Sequence, residues 1–117
     1  MATSGARFLK LCGAETLDVS AHALSRLHAR AGLDLSGEEA LALFLGAVLV
    51  PRDELFARGY RPACARRRAR GVVSWYFRLE AGATELLAVI ARRGDGPLTW
   101  VTTYARNAQN DLLSVRR

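Results

Sequence analysis

The residues of this 117-residue chain best suited to hold an anion or move a proton begin at His22. His22, Arg26 and Arg30 follow at i, i+4 and i+8, so a helix of 3.6 residues per turn sets one imidazole beside two guanidiniums on a single face. Such a stripe is either the solvated side of an amphipathic helix or an anion site with a proton-transfer group inside it. Imidazole exchanges protons near neutral pH, whereas arginine stays charged. His28 falls about 120° round the same helix and is a poor partner for His22. A second concentration of cations lies at 58–70, where Arg58, Arg61, Arg66, Arg67, Arg68 and Arg70 surround Tyr60 and Pro62. That run is either a solvated connector or a clamp for a phosphate backbone, with Tyr60 placed to stack on a base.

The elements that must carry these groups are marked by local signals. Ser20 is a helix N-cap and Gly32 a left-handed C-terminal residue, which predicts a helix over 21–31 whose Ala23, Leu24, Leu27 and Ala31 pack away from the arginines. Ser36 and Glu39 form a capping box that launches a second helix through ALALFLGA, apolar nearly all round and so expected to lie buried on a sheet. Val48 to Val50 reads as a brief extended piece stopped by Pro51.

Three strands are expected after the connector. Val72 to Glu80 alternates, with Val73, Trp75, Phe77 and Leu79 on one face and Ser74, Tyr76 and Arg78 on the other. Gly82 marks a turn, Glu85 to Arg92 is apolar on both faces as a central strand should be, and Arg93-Gly94-Asp95-Gly96-Pro97 signals a hairpin into Leu98 to Tyr104. The expected fold is α+β: two N-terminal helices packed on an antiparallel meander sheet of three to four strands. A single domain spans 1–117, with 1–7 a flexible lead-in, a short strand or helical turn near Phe8 to Cys12, and 107–117 a C-terminal helix or tail.

The pattern Ser20-x-His22-Ala23-x-x-Arg26-x-x-x-Arg30-x-Gly32 resembles the opening of small domains allied to the barnase, EndoU, colicin and RelE-like (BECR) toxin ribonucleases. The segment Val101-Thr102-Thr103-Tyr104 is similar to the V-x-T-x-Y strand with which those domains close. The resemblance covers roughly 18–106 and implies helices laid on a sheet of about four antiparallel strands. It also implies a metal-independent endoribonuclease without cofactors, cleaving RNA through the 2'-hydroxyl. In that scheme His22 is base or acid, Arg26 stabilises the phosphorane, and Thr102 and Tyr104 orient the phosphate. Arg30, Arg67, Arg68, Arg78 and Arg106 would bind substrate. Trp100, Thr102 and Tyr104 are expected to alternate onto one face, lining a site together. RNA is the implied partner, with a cognate antitoxin or immunity protein as the implied protein partner.

Charge distribution points the same way. The net charge is +6, and sixteen of the seventeen basic residues are arginine. Residues 1–50 hold four basic and five acidic side chains, a balance of −1, while 51–117 hold thirteen and six, a balance of +7. The second part therefore faces any acidic partner. Cys12 and Cys64 show no zinc-ligand spacing and are expected as reduced thiols in a cytoplasmic chain. The longest apolar stretch, Ala40 to Pro51, falls short of the ~20 residues that span a bilayer. There is no phosphate-binding or dinucleotide glycine loop, no nucleophile elbow and no carboxylate cluster for magnesium. Two rivals stay open: a non-catalytic basic module that binds nucleic acid or an acidic protein as inhibitor or regulator, and a fold that has kept its shape and lost its chemistry, with Trp100 filling the cleft.

Overall fold

The structure, a computed structural model, describes residues 2–57, 69–81 and 84–105. In chain order its elements are α1 (Gly5–Leu11), β1 (Asp18–Val19), α2 (Ala21–Ala31), α3 (Gly37–Leu45), β2 (Val48–Val50), α4 (Arg52–Ala57), β3 (Val72–Ala81), β4 (Thr84–Arg93) and β5 (Thr99–Ala105). The fold is α+β, with a five-stranded mixed sheet in the order β1-β5-β4-β3-β2. The two helices expected from their caps are present and α1 and α4 join them. The antiparallel meander is extended at one edge by β1, which runs parallel to β5.

The caps behave as their residue types require. Ser20 Oγ accepts from the Ala23 amide at 3.0 Å, and Gly32 ends α2 with a left-handed φ of 70°. In α3 the Ser36 hydroxyl accepts from the Glu39 amide while the Glu39 carboxylate accepts from the Ser36 amide, which closes the capping box. α3 is less buried than its composition suggests: only Ala40 and Phe44 are fully covered and Leu45 is exposed.

Residues 1–7, expected as a flexible lead-in, are tied down from Thr3 onward. The Thr3 carbonyl accepts from the Leu49 amide at 2.8 Å, the Gly5 amide donates to Ala47 at 2.8 Å, and Ser4 caps α1 by accepting from Arg7. Phe8 and Leu9 make this segment part of the core, and their burial offsets the entropy of fixing it. Gly5 sits where an added Cβ would run into the Phe44 carbonyl, so glycine lets α1 approach the end of α3.

Alternation in β3 sorts its side chains as expected, giving the sheet two distinct faces. Toward α1, α2 and α3 lies the larger core, where aromatic rings form a row from Trp75 through Phe8, Phe77 and Phe44 to Trp100. Toward α4 lies a smaller core of Val50, Leu55, Tyr76, Leu87 and Val89. β4 has Leu86, Ala88 and Ile90 in one core and Leu87 and Val89 in the other, as befits the central strand. The hairpin into β5 turns at Gly94, φ 56°, with the Gly96 amide donating to the Arg93 carbonyl. The expected turn at Gly82, much of the arginine connector and the C-terminal helix or tail at 107–117 lie outside the described residues.

Candidate functional site

Helix α2 packs Ala23 and Leu27 into the larger core, which turns its opposite side to solvent. His22 and Arg30 are exposed and Arg26 is half-buried, while His28 is exposed as well. The seating of this helix is specific. The Ser20 amide donates to the Trp100 carbonyl at 3.1 Å, and the Ser20 hydroxyl, besides capping the helix, reaches the Val101 carbonyl at 3.4 Å. The Thr103 hydroxyl donates to the Ala23 carbonyl at 3.4 Å and accepts from the Trp100 indole at 2.9 Å. The indole also donates to the Thr102 carbonyl at 3.1 Å.

These bonds surround an irregularity that alternation alone does not reveal. On β4, Val89 faces Thr102 and the next residue, Ile90, faces Trp100, so Val101 is an extra residue and β5 carries a bulge. Trp100 and Thr103 therefore both point into the larger core and are fully buried. Val101 and Tyr104 pack on the α4 face, and Thr102 joins them through its pairing with Val89. The expectation that Trp100, Thr102 and Tyr104 share one face is corrected by this bulge. Trp100 is fully buried in the larger core.

The sequence-expected site residues thus divide. Thr102 and Tyr104 lie together on β5, half-buried, and cross-strand pairing aligns Tyr104 with Leu87 and Leu87 with Arg78 in one row on the α4 face. His22, Arg26 and Arg30 stand on the helix packed against the other face, and the start of that helix is bonded to the bulge through Ser20. Arg67, Arg68 and Arg106 lie outside the described residues. Ser20 and Val101, which join the two groups, were not among the expected site residues. Ser20 shows in the sequence as a cap, but its second role and the bulge depend on residues some eighty positions away and leave no local signal.

Among the described residues no group of three or more His, Cys, Asp or Glu is placed to hold a metal ion. No helix there is long and apolar enough to cross a membrane. Cys12 is a half-buried free thiol. No family model, curated protein or solved structure matches this chain.

Proposed function

We propose that the chain is a metal-independent endoribonuclease that cleaves RNA through the ribose 2'-hydroxyl, working at the corner where α2 meets the bulge of β5. The observation that carries this reading is the hydrogen bond from Ser20 Oγ to the Val101 carbonyl, since His22 follows two residues after one partner and Thr102 immediately follows the other. That bond joins the chain just before His22 to the residue just before Thr102, positions some eighty apart in sequence, and bulges recur where strands are bent to aim side chains at a site.

In this scheme His22 takes the 2'-hydroxyl proton, which lets that oxygen attack the adjacent phosphorus. The 5'-oxygen of the next nucleotide leaves and takes a proton from water, and a 2',3'-cyclic phosphate remains. Arg26 stabilises charge on the pentacoordinate phosphorane, Thr102 and Tyr104 orient the phosphate, and Arg30 holds the strand alongside. The basic arginines of 51–117 supply the general attraction to nucleic acid, and a cytoplasmic toxin restrained by an acidic protein is the setting that the sequence pattern suggests.

A second reading, a non-catalytic basic module, is favoured by one feature: Arg78 and Tyr104 lie on the face opposite α2 and can contact an acidic partner without any histidine. Incubation of purified protein with total RNA in EDTA separates the two. The nuclease reading expects cleavage to cyclic phosphate ends, a ~100 to 10,000-fold loss in His22→Ala, and little change in His28→Ala. RNA left intact by stoichiometric wild-type protein, yet bound, supports the module.

A further inference from the structure

Among the described residues, a single buried side-chain polar atom lacks a hydrogen-bond partner: Nε of Arg78. It belongs to the middle of β3, between Val48 on β2 and Leu87 on β4. A charged donor taken out of water without an acceptor is destabilising, by more than the ~1 to 3 kcal/mol of a neutral group, so its presence in a strand calls for a reason. Arg78 also lines a half-enclosed cavity of about 330 Å³, together with Thr3, Val48, Val50, Pro51 and Glu54. The N-terminal segment forms one wall because Thr3 is bonded to Leu49, and the start of α4 forms another.

We propose that this cavity is an oxyanion site that takes a phosphodiester of a nucleic-acid backbone, held by the Arg78 guanidinium. Guanidinium presents a planar fork that matches two phosphate oxygens, and the aliphatic walls of Val48, Val50 and Pro51 strengthen that interaction by excluding water. Thr3, a hydroxyl-bearing residue, also lines the cavity. Glu54 also lines the cavity, and a diester with a single charge fits beside an acidic residue better than a terminal phosphate, which carries nearly two charges at neutral pH. The site sits between β2 and β3, two to three strand spacings from β5, so roughly 10–14 Å across the sheet from β5 and on the face opposite α2. It would hold a flanking nucleotide and not the one being cut. This inference rests on the reading that nucleic acid is the ligand.

The test follows the Arg78 Nε–H resonance of the full-length protein by NMR during titration with a tetradeoxynucleotide, inorganic phosphate or acetate. The deoxy strand has no 2'-hydroxyl, so the readout does not depend on cleavage. The resonance is expected to move and saturate with the oligonucleotide, to move less with phosphate and to respond least to acetate. Arg78→Met is expected to weaken oligonucleotide binding several-fold while raising the melting temperature, because an unmatched donor is removed from a buried position. Arg78→Lys should lose most of the affinity despite keeping the charge. A resonance that stays still while the oligonucleotide binds elsewhere, or a lower melting temperature in Arg78→Met, would overturn the proposal and mark the guanidinium as a structural strut. Cleavage of RNA with a silent Arg78 rejects this site alone. A responsive Arg78 in a protein that leaves RNA intact rejects the nuclease alone.

Discussion

The two faces of the sheet are built from the same strands and treat polar groups in opposite ways. On the face toward α1, α2 and α3, the Trp100 indole, the Thr103 hydroxyl and the Ala23 carbonyl form a connected chain of donors and acceptors inside an aromatic core. On the α4 face the core is smaller, the Ser74 and Tyr76 hydroxyls stand 3.4 Å apart, and Arg78 Nε has no acceptor among the described residues. A matched network locks one arrangement, whereas a buried donor with no acceptor, as at Arg78 Nε, is stabilised by a partner supplied from outside. The first face is therefore the scaffold, and ligand chemistry is to be sought on the second and where the start of α2 is bonded to β5.

The largest effect that follows is a difference between two aromatic residues of one strand. Trp100 is fully buried in the scaffold, so Trp100→Ala should cost about 3 to 5 kcal/mol in urea unfolding through lost contacts and an unfilled cavity. Tyr104, half-buried on the other face, should cost clearly less when changed to Ala. Equal losses would erase the distinction between scaffold and working face.

Deletion of Val101 probes the seam between the faces. Trp100 would still pair with Ile90 and Thr102 with Val89, so the ladder of β4 and β5 has no reason to change register, but the bulge and its bond to Ser20 would be gone. The deletion should keep the fold, as judged by amide exchange on β4, with a stability loss of about 1 to 2 kcal/mol, comparable to losing a helix cap contact and local packing. RNA cleavage, if the corner is the site, should fall as far as in His22→Ala. Retained cleavage in the deletion would show that the bulge positions nothing.

How much of this was readable in advance depends on the range of the forces involved. The ends of α2 are legible because Ser20 and Gly32 act within one turn, and the faces of β3 because alternation is a property of the strand itself. Helix α4 is less so: Asp53 and Glu54 in its first turn suit a helix start, but the arginines that follow dominate the segment. A two-residue strand such as β1 carries no pattern at all; Asp18 and Val19 are strand only because β5 lies beside them. The candidate site was legible as a set of residue types and only partly as an arrangement. His22 with Arg26 follows from helical spacing, whereas the division of Trp100 from Thr102 and Tyr104 is imposed by a bulge that the start of α2 and the Trp100 indole hold in place. The unmatched Arg78 Nε shows only in three dimensions, since its exposure is decided by β2, α4 and the N-terminal segment.

The smallest effect sharpens the comparison most, because it asks whether polar contacts on the α4 face contribute to stability at all. Ser74 is buried, and its hydroxyl stands 3.4 Å from that of Tyr76, as long as the Thr103 contact to Ala23 on the other face and longer than the ~2.5 to 3.0 Å of a strong O–H···O bond. A contact that long returns little of the cost of desolvating the serine, and alanine fits the space with no cavity larger than one hydroxyl. Ser74→Ala should therefore leave stability within about 0.5 kcal/mol of wild type in urea unfolding, with the β3 amides equally protected from exchange. A loss above ~1.5 kcal/mol would mean that this hydroxyl pair tightens into a true buried bond and that the α4 face is as firmly matched as the scaffold. In that case the missing acceptor at Arg78 would stand as an isolated exception on an otherwise closed surface, and the case for a ligand there would rest on the cavity alone.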